Sequence, residues 1–237
     1  MPVVASFMLE PVSGIIFDFD GTLYHMRWYM RPLITLKLFP HILRLPRYMK
    51  VRTILADKDL GSGESLMSEL CRMLAEEEGI SAQAIHAWIY NSFYPAFIGT
   101  LSSLRNTRPG LNNLLVELKG RNIRLAVLSD FDKVRERCEK LKIDISVFDP
   151  IVSSEAQGAL KPAVRPFAEI QKAWGVPSSE ILVIGDRFDT DGDAAQRLGM
   201  QFIQIAGNRK YRGRKTMSWK RIKRMLMQIY SRKEHKI

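Results

Sequence analysis

Only two cysteines, Cys71 and Cys138, occur in 237 residues. They lie too far apart to build a zinc motif or a disulfide framework. Reduced, partly buried thiols are the expectation, which fits a cytoplasmic location. No apolar run reaches the about 18 residues that a membrane-spanning helix needs. The nearest stretch, Leu33–Leu45, is broken by Lys37, Pro40 and Arg44. The first residues, Met1 to Val12, lack the basic start of a cleavable signal, so none is expected. Internal repeats and low-complexity segments are missing too. The body of the chain also lacks net charge. Residues 1–206 hold 24 bases and 24 acids, and the formal +11 resides in Gly207–Ile237, where twelve Lys or Arg face one acid, Glu234. A nucleic-acid footprint spread over the whole protein is not indicated, and no specific nucleic-acid partner is expected.

What is present is an ordinary globular composition, with 46% hydrophobic and 26% charged residues. Residues 12–19 read as a buried strand ending in carboxylates. From His25 to Arg108 the pattern is helical. Pro32, Pro40 and Pro46 divide its first part, Ser62 opens a helix that ends near Gly79, and Ser81 opens another that runs to about Leu104, with a kink expected at Pro95. Pro109-Gly110 punctuates the return. Strand and helix then alternate: Leu111–Lys119 helix, Ile123–Ser129 strand, Lys133–Leu141 helix, Ile151-Val152 strand, Pro166–Trp174 helix, Ile181–Gly185 strand, Asp193–Leu198 helix and Phe202–Ile205 strand. Apolar strands separated by helices predict an α/β fold, a Rossmann-like parallel sheet covered on both faces. Residues 1–24 and 109–206 form its core. Residues 25–108 are too long for a connection and are expected to be an inserted all-helical cap. Residues 207–237 form a basic tail with an amphipathic helix over Thr216–Ser231.

In an open parallel sheet, ligands collect at the carboxyl ends of the strands. Four strand ends here carry polar groups: Asp18 and Asp20; Ser129 and Asp130; Lys161, in the loop after Ile151-Val152; and Asp186 with Asp189 and Asp191. Residues two apart in extended chain face the same way, so Asp18 and Asp20 repel unless a cation or a proton intervenes. Gly21 permits a sharp turn and close approach of a ligand. Thr22 offers a hydroxyl and an N–H near a helix start, which suits phosphate oxygens. Asp186, Asp189 and Asp191 add hard oxygen donors with no His or Cys nearby, which favours Mg²⁺. A calcium loop fails: started at Asp189, it puts Met200 where a bidentate Glu is required. Ser129 can bind a phosphoryl oxygen or cap the following helix. Lys161 can neutralise nucleophile and phosphoryl charge together.

The motifs Phe17-Asp-Phe-Asp-Gly-Thr-Leu23, Leu128-Ser129-Asp130, Lys161-Pro162 and Gly185-Asp-Arg-Phe-Asp-Thr-Asp191 resemble those of the haloacid dehalogenase-like (HAD) superfamily. The resemblance implies a Rossmann-like core with a helical cap inserted after the first motif. It implies that Asp18 is the nucleophile, forming an aspartyl-phosphate, and that Asp20 is general acid and then base. Ser129, Lys161, Asp130, Gly21 and Thr22 would surround the phosphoryl group. Asp186 would ligate Mg²⁺ with Asp18 and the backbone carbonyl of Asp20, and Asp191 or Asp189 would support the metal. Dehalogenases of this superfamily lack a carboxylate at the position of Asp20, so a phosphatase acting on a small phosphorylated metabolite is expected. A phosphomutase or other phosphotransferase on the same core, or a ligand-binding module without turnover, are the competing readings.

Within the expected cap, Arg27–Lys58 carries eight bases and one acid, Asp57, interleaved with apolar residues. It reads either as a surface or pocket for an anionic, partly apolar ligand, or as packed helices with solvated basic edges. The tail helix places Trp219, Ile222, Leu226 and Ile229 on one face. Docking on the protein's own core is one reading; weak contact with an anionic membrane or polyanion is the other.

Overall fold

The computed structural model describes residues 12–102, 107–206 and 216–231. Six parallel strands form one sheet in the order β3-β2-β1-β4-β5-β6. They are β1 (Gly14–Asp18), β2 (Arg124–Ser129), β3 (Ile151–Ser153), β4 (Ile181–Gly185), β5 (Gln201–Ile205) and β6 (Thr216–Met217). β1 and β4 are buried along their whole length, because helices cover both faces and leave no position for a solvated side chain. The odd and even positions of β1 serve different cores. Ile15 and Phe17 join a large cluster that continues into the helical insert, while Ile16 joins a smaller one with Phe167, Ile170 and Trp174. The latter three lie on α9 (Arg165–Trp174). The chain order therefore reverses between β1 and β4, and the crevice at their carboxyl ends is where ligands collect in such sheets.

Among the described residues, the insert after β1 is built of helices: α1 (Met30–Lys37), α2 (Arg44–Leu55), α3 (Gly63–Glu78), α4 (Ala82–Trp88) and α5 (Tyr94–Leu101). Ser62 and Ser81 cap α3 and α4 by accepting from Ser65 N–H and Ala84 N–H, and Gly79 ends α3 at φ 67°. Pro32 and Pro46 do not end helices. Each sits in the first turn of one, where a missing N–H costs nothing. The single helix expected from Ser81 is interrupted by a π-helical turn at Ile89–Phe93, directly ahead of Pro95 in the first turn of α5. A proline cannot return an N–H to the preceding turn, and the widened turn accommodates the break. The two strands of chain leading in and out of the insert pair at Tyr24 and Thr107.

The remaining helices are α6 (Leu111–Gly120), α7 (Val134–Lys140), α8 (Ser154–Gln157), α10 (Asp193–Arg197) and α11 (Trp219–Ser231). The expectation of one helix over Thr216–Ser231 is corrected at its start. Thr216 and Met217 pair with Gln204 and Ile205 as an edge strand, and the helix begins two residues later. Sheet edges offer unpaired N–H and C=O groups, and a short segment satisfies those of β5. Trp219, Ile222 and Leu226 are buried in the large core. Trp219 Nε1–H also donates to Pro109 O at 2.9 Å. The apolar face of α11 is thus packed on the protein itself. Most of the tail's basic residues, and the side chain of Ile229, lie outside the described residues. Among the described residues, no helix is long and apolar enough to cross a membrane.

Candidate active site

β1 delivers Asp18 to the carboxyl edge of the sheet, level with Leu128 on β2. The chain then turns through Gly21, at φ 81°, where a Cβ would stand 2.4 Å from Asp186 Oδ2. Only glycine fits between these two acidic segments. Thr22 Oγ1 donates to Asp18 Oδ2 at 2.7 Å and is fully buried. Arg108, at the exit of the helical insert, donates to Gly21 O at 2.5 Å and to Thr22 O at 3.0 Å. It therefore holds the turn in place from the far end of an insertion of more than 80 residues.

Lys161 follows β3 and α8 and reaches the carboxyl end of β1. Its ammonium, 3% exposed, donates to Asp18 Oδ1 at 2.6 Å and to Asp191 Oδ1 at 2.7 Å. The loop carrying it is pinned by Asp130, whose carboxylate accepts from Lys161 N–H at 2.9 Å. Asp130 is thus occupied in shaping the lysine loop rather than offering its side chain to a phosphate. After β4, Gly185 is followed by Asp186, and a π-helical turn over Phe188–Gly192 swings Asp191 inward. A Cβ on Gly185 would stand 2.4 Å from Asp191 Oδ2. Asp189 faces outward and pairs with Arg187 at 2.5 Å. Asp18, Asp186 and Asp191 each place a carboxylate oxygen within 4.8 Å of the others.

Three carboxylates and one ammonium leave an excess of negative charge in a buried place. Burial raises the Asp18 carboxyl well above its ordinary range; Lys161 pulls it down, while Asp191, Asp186 and Asp20 add to the rise. Burial, and then Asp191, pushes Asp186 up to about 7. Burial also works against the charge of Lys161, but Asp18 and Asp191 outweigh it and raise its pKa. Hard oxygen donors with unbalanced charge are the donor set that suits Mg²⁺, so Asp18, Asp186 and Asp191 fit that ion.

Asp20 lies apart from this cluster. Arg137 Nη2 contacts both of its carboxylate oxygens at 2.5 Å, Tyr24 OH donates to Oδ1 at 2.6 Å, and Ser129 Oγ donates to Oδ2 at 3.3 Å. Arg137 is fully buried, between the rings of Phe19 at 4.2 Å and Phe97 at 4.7 Å. It also donates to Ser129 Oγ at 2.9 Å. Ser129 is not a helix cap, since α7 starts at Val134 without a side-chain cap. Asp18 and Ser129 end β1 and β2, and Asp20, Gly21, Thr22, Asp130, Lys161, Asp186 and Asp191 lie in the segments that follow β1, β2, β3 and β4.

Arg137, Tyr24 and Arg108 escaped the sequence reading. Arg137 left a signal: it shares the spacing of Val134, Cys138 and Leu141, and a cation on the apolar face of a helix calls for a buried partner. Arg108 left none, because its partners, the carbonyls of Gly21 and Thr22 and the ring of His25, lie more than 80 residues away. A further group joins the insert to the β2 loop. Arg52 on α2 pairs with Glu155 on α8, donates to Asp130 O at 2.6 Å and stacks over Phe131 at 4.1 Å.

A model of the haloacid dehalogenase-like hydrolase family matches residues 12–199. Protein SUPPRESSOR OF QUENCHING 1, chloroplastic, of Arabidopsis thaliana is 27% identical over 198 residues, which are 82% of this chain and 18% of that protein. This chain therefore spans less than a fifth of that relative's length. The glyceraldehyde 3-phosphate phosphatase of Methanocaldococcus jannaschii is 23% identical over 206 residues, covering 82% of this chain and 85% of its own length. Among solved structures, the HAD-hydrolase YfnB of Bacillus subtilis bound to magnesium superimposes with a TM-score of 0.62 at 16% identity, over 92% of this chain and 100% of that one. At that identity the likeness is one of fold.

Proposed function

Because the chain belongs to the haloacid dehalogenase-like hydrolases, we propose that it is a phosphatase that hydrolyses a small phosphoric monoester through an aspartyl-phosphate on Asp18. The observation that carries this reading is the pair of acids at the tip of β1 in two separate environments. Asp18 sits against Lys161 and the acidic cluster, and Asp20 is held by Arg137, Tyr24 and Ser129. Two carboxylates with separate partners can take the separate roles of nucleophile and proton carrier.

In the first step an Asp18 oxygen bonds to phosphorus, and the bond from phosphorus to the leaving oxygen breaks. As general acid, Asp20 gives a proton to the leaving oxygen. Asp20 then takes a proton from water, whose oxygen attacks phosphorus and returns Asp18 as a carboxylate with inorganic phosphate. Splitting the reaction through a covalent intermediate replaces one hard displacement by two easier ones. Lys161 offsets the charge that meets at Asp18, and Ser129 would turn its hydroxyl from Asp20 to a phosphoryl oxygen. Mg²⁺, held by Asp18, Asp186 and Asp191, would stabilise charge on the transferring oxygens. The presence of Asp20 argues against dehalogenation, which needs no proton for its leaving halide. A cavity of about 680 Å³, lined by Met67, Tyr90 and Asp132 among others, borders the β2 loop, and none of the catalytic residues lines it.

The test is release of inorganic phosphate from a panel of phosphorylated metabolites with Mg²⁺, for the wild type and Asp18→Asn. Turnover of a subset by the wild type and none by the variant is expected. Asp20→Asn should lose about 10²–10⁴-fold in turnover. Equal activity of Asp18→Asn and wild type would overturn the mechanism. A protein that binds the panel without turnover would remove the hydrolase reading.

A further inference from the structure

The helical insert wears an unusual surface on its first third. Eleven large hydrophobic side chains are exposed among the described residues, and eight of them fall between Met26 and Ile54. The most exposed are Trp28 at 85%, Phe39 at 76%, Leu36 at 72% and Leu43 at 64%. Scattered apolar residues on a surface need no explanation, but a concentration of this kind marks a binding surface. None of these four side chains lines the acidic site.

The charges interleaved with them are all of one sign. From Gly21 to Ala56 there are seven Lys or Arg and no Asp or Glu. Four are paired with acids: Arg44 and Arg47 with Glu78, Lys50 with Glu77, and Arg52 with Glu155. The other three, Arg27, Arg31 and Lys37, are exposed, and none has an acidic partner among the described residues. They alternate along the chain with Met26, Trp28, Leu36 and Phe39.

This combination restricts the occupant. A second copy of the chain docked symmetrically would set Arg27, Arg31 and Lys37 against the same three cations, with no acid to separate them. An anionic lipid surface satisfies both halves of the pattern. Its headgroups neutralise the cations, and its interface takes up an amphipathic tryptophan and the neighbouring apolar tips. The tail offers less, because α11 buries its apolar face in the core. We propose that residues 26–43, the entry to α1, its outer face and the turn that follows, form a docking surface for an anionic membrane. The inference stands independently of the reaction catalysed.

The full-length protein would be sedimented with vesicles of mixed phosphatidylglycerol and phosphatidylcholine, and with vesicles of phosphatidylcholine alone. Two variants accompany the wild type: Trp28→Ser with Phe39→Ser and Leu43→Ser, and Arg27→Glu with Arg31→Glu and Lys37→Glu. All six positions are exposed, so both variants should melt with the wild type. The wild type should bind the anionic vesicles, lose binding in high salt, and bind neutral vesicles poorly. Each variant should bind the anionic vesicles at least about tenfold more weakly. No sedimentation of the wild type at low salt overturns the proposal. Unchanged binding by both variants overturns it as well, since the tail would then carry the contact. A concentration-dependent dimer of the wild type that the apolar variant abolishes assigns the surface to a second copy and overturns it too.

Discussion

Asp186 connects the electrostatics of the site to a titration that can be followed. Burial, then the neighbouring Asp191, raises it from the ordinary carboxylate range to about 7, against the pull of Lys161 and Arg187. The neutral form is therefore favoured in the fold relative to the unfolded chain, where such a group ionises near pH 4. The resulting stabilisation is present below about pH 4 and is lost as pH rises through about 7. A divalent cation competes with that proton, because only the carboxylate binds it. Mg²⁺ should accordingly bind about tenfold more weakly at pH 6 than at pH 8 from Asp186 alone, with Asp18 adding to the slope in the same direction. Calorimetric titration at the two pH values measures this directly, with proton release visible as a dependence of the heat on buffer. A Kd that does not change between them would mean that Asp186 is already ionised in the metal-free protein.

At the scale of elements, α11 shows how an amphipathic pattern is resolved by packing. Trp219 is 7% exposed and joins Ile222 and Leu226 in the core that β1, β2 and α6 share. Trp219→Ala should cost about 3–5 kcal/mol, lowering the Tm by roughly 10 °C for a chain of this size, and thermal unfolding followed by circular dichroism would read it. An unchanged Tm would mean that the helix is not docked. The period of its apolar residues was legible in the sequence, and so were the strands, because continuous apolar runs ending in Asp or Ser have few other readings. The edge strand Thr216–Met217 was not legible: two residues carry no period, and their conformation comes from the open edge of β5. The π-turn ahead of Pro95 announced itself only as a break, since a proline marks the place of an interruption and not its form. At the site, the acids and Lys161 stood out because each ends a strand or follows one. The groups that hold them were hidden for a physical reason: Arg137 and Asp20 are 117 residues apart, and Arg52 and Glu155 are 103 apart. Such pairs exist only once the sheet and the insert have come together.

Across the whole molecule, that second pair is a buried polar link between the helical insert and the sheet, beside the exposed pairs Asp59–Arg165 and Asp57–Arg197. Arg52 and Glu155 have side chains only 6% and 2% exposed. Around them, Tyr94 OH donates to Glu155 Oε1 at 2.5 Å and accepts from Asp132 N–H at 2.9 Å, while Arg52 donates to Tyr48 OH at 3.1 Å. Arg52 also grips the carbonyl of Asp130. Since the carboxylate of Asp130 holds the backbone of Lys161, a chain of contacts runs from the insert to the lysine that touches Asp18. Removing one member of a buried ion pair strands the other charge, at a cost of about 3–5 kcal/mol. Arg52→Met and Glu155→Gln should each lower the Tm by roughly 10 °C, and the double variant should lower it by less than the sum, because neither charge is then left alone. Catalysis distinguishes the two positions. Glu155→Gln leaves Arg52 able to reach Asp130 O, whereas Arg52→Met releases the loop, and a shift of about 1 Å at a reacting group can cost about 10²-fold. The expected outcome is a kcat/KM for Arg52→Met about 10²-fold below that of the wild type at a temperature where both are folded, with Glu155→Gln falling much less. If both variants lose stability but keep the wild-type kcat/KM, the network braces the two parts of the molecule without reaching the chemistry. The position of Lys161 would then have to be set by Asp130 and Pro162 alone.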